Sequence, residues 1–343
     1  MVNLGLSAQT VPNHCVRLNM AINTRLTEAL KLTHPVVLAP MGVAASGRLA
    51  AAVAAAGGLG LIGVGYQGQD WIESQTDAAG NVRVGAGFIT WRLQMSPELL
   101  DVALARRPSA ICLSFGDPQP FAKKVHAANV PLICQVQSLS HARRAAEVGA
   151  TVIIAQGAEA GGHGGSRSVS TLVPEIADFL AKSCPDTLLC AAGGIADGRG
   201  LAAALMLGAD GVLVGSRLWA SEEANVHPNF HAAALAANGD ATIRTRLADI
   251  VRNYDWPPYY TARVLRNAFV ETWQGKEAEL AASSDVELSK WDKAWDEGHA
   301  DGANVFISES VGLIRSVAPV ATIIEGMVVE AEATIRGATK KLS

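Results

Sequence analysis

AAEVGATVIIAQG (145–157) and ALMLGADGVLVGS (204–216) repeat one pattern: the end of a helix, a Gly-Ala step, a short apolar run and a closing glycine. Each apolar run is almost unbroken, as expected of a strand covered on both faces. A helix that stops at glycine and turns directly into such a strand is the repeating piece of a βαβ array. Working outward, runs of the same kind lie at 36–39 (VVLA), 59–64 (LGLIGV), 83–89 (RVGAGFI) and 110–114 (AICLS). They continue at 131–136 (PLICQV), 151–155 (TVIIA), 187–192 (TLLCAA) and 211–214 (GVLV). Helices fit between them with legible ends. Ser46 is placed to cap a helix that stops at Gly57–Gly58, Ser96-Pro97 opens another, and Asp197 caps the one that ends at Gly208. Eight strand–helix units in a row imply a parallel sheet, and eight is the number that closes; the expected class is α/β, a (β/α)8 TIM barrel.

A barrel of this type takes about 250 residues, and the chain has 343. The surplus has its own composition. Four of the seven tryptophans and three of the four tyrosines fall between His227 and Glu309, with more charges and a helix-like period. This predicts a helical lid or substrate subdomain at 227–309, inserted after the eighth strand. Residues 1–226 and 310–343 then form the barrel, with its last helices at 311–336.

The charge balance, 28 Lys+Arg against 32 Asp+Glu with no block of one sign, argues against a nucleic-acid partner. Five scattered cysteines (Cys15, Cys112, Cys134, Cys184, Cys190) without a C-x-x-C read as buried thiols in a reducing cytoplasm. No basic start followed by an apolar run marks a signal peptide. Leu49 to Gln69 is uncharged and near membrane-crossing length, but six glycines interrupt it. It reads as a helix and a strand of a buried core, and no membrane partner is expected.

Barrel enzymes carry their chemistry on the loops that follow the strands. Here those loops hold Ala39-Pro40-Met41-Gly42, Gln156-Gly157 through Gly165, Gly193-Gly194-Ile195 and Gly215-Ser216-Arg217. The last two follow the seventh and eighth strands, where barrels place a phosphate; glycines there let backbone N–H groups approach it. Two matches to G-x-G-x-x-G, Gly58–Gly63 and Gly63–Gly68, lack the context of a dinucleotide fold. The first runs through a strand, and the second has no acidic residue about 20 positions on. His163, between Gly161-Gly162 and Gly164-Gly165, is set in a mobile, backbone-rich loop rather than in a packed helix or strand. Histidine titrates near neutrality and suits proton transfer at an acidic carbon. No H-x-x-x-H, H-x-H or G-x-S-x-G occurs, so neither a metal site nor a serine hydrolase is expected.

HPVVLAPMGV (34–43), AQGAEAGGHGG (155–165), AAGGIADGRG (191–200) and GADGVLVGSR (208–217) together resemble the nitronate monooxygenases, formerly 2-nitropropane dioxygenases. The resemblance spans essentially the whole chain and includes RLADIVRNYDWPPYYTARVLRNAF (246–269) in the expected lid. It implies non-covalently bound FMN at the C-terminal face of the barrel. Pro40 and Met41 would present backbone to the flavin ring, Gln135 and Gln156 would hydrogen-bond it, and Gly161 would border it. Gly193, Gly194, Gly215 and Ser216 would hold the phosphate, and His163 would be the base facing the substrate. Two departures stand out: many relatives carry asparagine at Gly87, and some carry lysine at Gln135. The second removes a positive charge and leaves stabilisation of the reduced flavin to neutral donors and helix ends.

The activity implied is oxidation of alkyl nitronates, or of nitroalkanes after proton abstraction by His163, by dioxygen to carbonyl compounds and nitrite. The flavin carries the redox step and the protein supplies position and electrostatics. Flavin-dependent enoyl-ACP reductases and NAD(P)H:quinone reductases share the histidine loop, so an NAD(P)H-dependent reductase is the alternative. A non-catalytic barrel that binds a phosphate ligand is the alternative from another class. The partners expected are a small nitronate or nitroalkane and dioxygen, and a homodimer is an assembly left open. Tyr254, Trp256, Tyr259 and Tyr260 are read first as lid core and second as the roof of an apolar pocket.

Overall fold

The computed structural model describes residues 22–338 and 340; Cys15 lies outside them. Eleven strands occur in chain order: β1 (Val36–Leu38), β2 (Leu61–Gly65), β3 (Gly85–Ile89), β4 (Ile111–Ser114), β5 (Leu132–Val136), β6 (Val152–Gln156), β7 (Gly162–Gly164), β8 (Leu188–Ala192), β9 (Gly211–Val214), β10 (Thr242–Thr245) and β11 (Thr261–Leu265). Eight of them form a parallel sheet in the order β1-β9-β8-β6-β5-β4-β3-β2. The ring closes between β1 and the start of β2, where Leu38 N donates to Leu59 O and Leu59 N to Val36 O, both at 2.9 Å. Each of the eight apolar runs thus becomes a barrel strand, as the α/β barrel reading requires.

The repeated Gly-Ala step has a common hydrogen-bond pattern. Gly149 N donates to Ala146 O and Ala150 N to Ala145 O, both at 3.0 Å. Gly208 N to Leu205 O and Ala209 N to Ala204 O repeat this at 3.1 Å. These two bonds are the Schellman ending of a helix, which places its glycine in the left-handed region; Gly149 has φ 79° and Gly208 φ 97°. Ser46 and Asp197 cap their helices, accepting from Leu49 N and Gly200 N. Pro97 opens the helix Glu98–Ala105 with no side-chain cap.

Alternate strand residues divide the core in two. Val37, Leu61, Cys112, Ile133, Ile154, Cys190 and Leu213 fill the barrel interior, while Val36, Leu38, Ile62, Val64, Ile153 and Val212 face the helices. Leu26, fully buried on the short helix Arg25–Leu30, joins the interior cluster beside Leu59, Ala110 and Leu188. It therefore plugs the N-terminal end of the barrel, which was not foreseen. The helix Val320–Ala338 packs its buried face (Val320, Ile324, Met327, Val328, Ala331) on the barrel. Among the described residues no helix is long and apolar enough to cross a membrane; the uncharged stretch near residue 60 is a helix (Gly47–Ala55) followed by β2.

The insertion after β9 is mostly helical and has its own core, including Phe230, Leu247, Val251, Phe269, Leu280 and Trp291. It also holds β10 and β11, whose sequences TIRT and TARVL are too short and too rich in arginine to show as strands. They pair antiparallel, and β11 pairs in turn with β7, matching Ala262 with His163. His163 therefore does not sit on a mobile glycine loop. The insertion captures its segment as the edge strand of a three-stranded sheet, and the flanking glycines permit the close backbone pairing.

Candidate active site

At the C-terminal ends of the barrel strands lies a cavity of about 590 Å3, within the usual range for a small-molecule or cofactor site. Pro40, Met41, Gln135, Gln156, Gly161, His163, Gly193, Gly194, Gly215 and Ser216 all line it. Residues up to 176 positions apart, Pro40 to Ser216, are brought together because every one follows or ends a strand of the same ring.

The floor under the expected flavin ring is formed by Pro40 and Met41, and two glycines make that possible. A Cβ at Gly63 would lie 2.2 Å from Met41 O, and one at Gly87 would lie 2.2 Å from Pro40 Cβ. Gly87 is inside β3, and the Pro40 ring occupies the space where a side chain would start. Gln135 is nearly buried on β5, lines the cavity and has no hydrogen-bond partner among the described residues. Its amide is free for a ligand. Gln156 is more committed: its Nε2 donates to His163 O and its Oε1 accepts from Gln137 Nε2, both at 2.9 Å.

Gly193 and Gly194, also in the cavity lining, have φ of 110° and 71°, a conformation open to glycine. The N–H groups of Gly193, Gly194, Gly215 and Ser216 have no protein acceptor among the described residues. Ser216 Oγ accepts from Ser308 N at 2.9 Å, which leaves its hydroxyl hydrogen for a ligand. A Cβ at Gly215 would meet Ala39 and Met41 only at 3.5 and 3.8 Å, so protein packing does not demand glycine there. Unpaired donors around space the protein leaves free suit a phosphate. The donor set is neutral, and the residues present fit the phosphate end of a flavin.

His163 also lines the cavity. Its Nε2 lies 2.9 and 3.0 Å from the two carboxylate oxygens of Asp249, which is 1% exposed. The imidazole stacks on Trp256 at 3.5 Å with 4° between the planes. Burial lowers the pKa of His163, with the Asp249 carboxylate opposing the shift and the Arg252 and Arg244 cations adding to it. Burial thus favours the uncharged imidazole, with Nε2 facing the carboxylate. Trp256 is fully buried and donates from Nε1 to Tyr66 Oη at 2.7 Å, and Tyr66 stacks on Tyr254 at 3.9 Å. Phe115 presents an edge to Trp256 and Tyr260 from a left-handed backbone, φ 67°. A bulky residue there is strained, which the packing must compensate. Trp256 is fully buried and lines the cavity, whereas Tyr254, Tyr259 and Tyr260 lie outside the lining; Tyr260 packs edge-on against Trp256, Tyr254 stacks on Tyr66, and Tyr259 meets Tyr260 and His141.

Asp249, Arg252, Tyr66 and Phe115 were not foreseen. Arg252, the cavity's one Lys or Arg among the described residues, reaches Asp249 Oδ1 at 3.4 Å. Its guanidinium lies 4.9–5.7 Å from the centres of the Tyr254, Trp291, Phe306 and Tyr66 rings, close enough for cation–π attraction. The only signal in the sequence was an acid and a base three positions apart just before an aromatic run, a pattern that any exposed helix shows. Two further arginines brace the histidine segment: Arg244 donates to Ala158 O and Gly164 O (3.1 and 2.8 Å), and Arg263 to Ala158 O (3.0 Å).

The chain is similar to known proteins over most of its length. The family model described as nitronate monooxygenase matches residues 23–85 and 89–330. A nitronate monooxygenase of Metarhizium robertsii, npaC, is 32% identical over 84% of this chain and 88% of its own. One from Neurospora crassa is 31% identical over 88% and 90%. Among solved structures, FabK from Thermotoga maritima superposes with a TM-score of 0.83 at 30% identity, covering 94% of this chain and all of that one.

Proposed function

The chain belongs to the nitronate monooxygenase family of flavin-dependent oxidoreductases, and from that premise we propose that it binds FMN and uses dioxygen to oxidise alkyl nitronates to carbonyl compounds and nitrite. The observation that carries this reading is His163, fixed between Asp249 and Trp256 in the wall of a cavity that is also lined by residues with unpaired N–H donors. One phosphate-sized cradle supports FMN over FAD, which would need room and donors for an adenylate half.

The bound flavin supplies the one-electron chemistry between substrate and dioxygen; the chain does the rest. Pro40 and Met41 give a flat floor, and Gln135 offers a neutral amide. Gly193, Gly194, Gly215 and Ser216 hold the phosphate through N–H dipoles. Arg252 places a positive charge near the substrate side, which favours an anion such as a nitronate. His163 takes a proton from carbon when a neutral nitroalkane is offered. Trp256 and Phe306 exclude water from that face. Three thiols, Cys112, Cys134 and Cys190, are free and buried, which suits a reducing cytoplasm.

The deciding experiment compares His163→Asn with wild type on neutral nitroalkanes and on preformed nitronates. Removal of a general base costs about 10²–10⁴-fold. The expected result is that loss on the nitroalkane, most activity kept on the nitronate, and wild-type flavin content, since the cradle is backbone. Equal losses on both substrates would leave His163 an electrostatic role only. Rapid anaerobic bleaching of the flavin by NADH with no turnover of nitronates would replace the reading with a reductase.

A further inference from the structure

Asp249 is among the most buried charged groups of the described chain, and both its oxygens face one ring nitrogen of His163. A carboxylate at this distance accepts, so Nε2 of His163 carries a hydrogen. The other nitrogen, Nδ1, has no protein partner among the described residues. Rotation of the ring is blocked by the Trp256 stack on one side and by Phe306 and Phe115, whose centres lie 6.3 Å away. The carboxylate therefore selects one tautomer, and the aromatic rings fix its plane.

We propose that Asp249 is a positioning residue that makes Nδ1 the basic atom of His163, an inference that rests on the proposed nitroalkane and nitronate chemistry. In the step it serves, the substrate C–H bond breaks and its electron pair moves into the nitro group, forming the nitronate. The proton goes to Nδ1, and the resulting imidazolium keeps its Nε2–H on Asp249. The buried carboxylate then stabilises the cation it faces, as the aspartate of a Ser-His-Asp triad does for its histidine. The competing view is that Asp249 is only a counter-charge for Arg252, three residues further on in the same insertion. That contact is long, 3.4 Å, and is confined to one oxygen, whereas His163 engages both.

The charged groups facing the imidazole are Asp249 and Arg252 from the helix Leu247–Val251 and its end, and Arg244 from β10. Arg263 on β11 is turned away, to Ala158 O and Glu309. Asp255 of the Trp256 loop is exposed and is not among the groups that act on the imidazole, and Phe115 and Phe306 add no charge. Removing the carboxylate alone withdraws the influence that raises the pKa of His163 and leaves both cations that lower it.

Two measurements test this. Nitrogen-15 spectra of the histidine rings in the full chain, with the His163 signals identified by their loss in His163→Asn, are expected to show hydrogen on Nε2 and a bare Nδ1 near pH 8. Hydrogen on Nδ1 instead would overturn the proposal without any variant of Asp249 having to fold. In Asp249→Asn, activity on a neutral nitroalkane is expected to fall roughly 10²-fold, between the effect of a typical outer-shell partner and that of a triad aspartate. The acid limb of its kcat/KM profile should move to lower pH, while turnover of preformed nitronate stays within about threefold. An unchanged limb, or equal losses on both substrates, would overturn the positioning role. Failure of wild type to oxidise nitronates would instead count against the proposed function, and the ring spectra would still decide the tautomer.

Discussion

Replacing Gly87 by alanine adds one methyl group inside β3, and the structure says where it goes. The new Cβ would lie 2.2 Å from Pro40 Cβ and 2.4 Å from Pro40 Cγ, against about 3.5–4.0 Å for two carbons in contact. Neither partner can turn aside, because a Cβ has no rotamer and the proline ring is closed. The backbone of Pro40–Met41 must move by on the order of 1 Å, or β3 must. Overpacking of this kind costs about 1–3 kcal/mol. Alanine in place of glycine in a strand returns only about 0.5–1 kcal/mol, from reduced freedom of the unfolded chain. The clash wins. Since Pro40 and Met41 line the cavity, part of the displacement falls on flavin binding, and 1.4 kcal/mol of it is tenfold in affinity. Titration of the apoprotein with FMN, followed by flavin fluorescence, is expected to show binding weakened about tenfold, with a lower thermal midpoint for the apoprotein. Asparagine at 87 should be at least as damaging, because this chain puts its proline ring in that space. Wild-type affinity together with an unchanged midpoint in Gly87→Ala would refute the account of the floor.

Arg244→Ala removes donors to Ala158 O and Gly164 O; Arg263 still serves Ala158 O, so the buried Gly164 carbonyl is the one that loses its side-chain donor, at about 1–3 kcal/mol. Faster hydrogen exchange across residues 158–164 and a loss of nitroalkane turnover are expected; unchanged exchange would show that β7 is held by β11 alone. Burial lowers the pKa of His163, so nitroalkane turnover should hold at pH 6.5 and fall only as pH drops through that lowered value; a fall centred above 6.5 contradicts the burial argument. The same group is bound to more protons when unfolded, so its contribution to stability is present above the unfolded value near 6.5 and is lost as pH falls from there toward the folded one. Burial pushes the Cys112 thiol up to about 12 and raises Cys134 and Cys190 as well. In the native protein a thiol reagent should spare these three, leaving the partly exposed Cys184 as the reactive position among the described residues, a result that Cys184→Ser checks directly.

Much of this molecule is present in its local sequence pattern. A strand covered on both faces must be apolar at every position, and a helix that turns directly into one needs a residue tolerant of positive φ. Both demands are written residue by residue, which is why GATVIIA and GADGVLV reveal the barrel and why the strand-end glycines mark the cavity rim. The position of His163 on that rim follows from the same strand-by-strand count. Its environment does not. Asp249 lies 86 positions away on a five-residue helix, and nothing in LADIV distinguishes a buried carboxylate from an exposed one. The strands TIRT and TARVL exist because β11 finds an edge at Gly162–Gly164, a partner that only the folded insertion supplies. Hydrophobic period and chain stereochemistry are local and so were legible. The pairing of an acid with a distant base, and the capture of a glycine segment as a strand, depend on which surfaces the tertiary fold brings into contact.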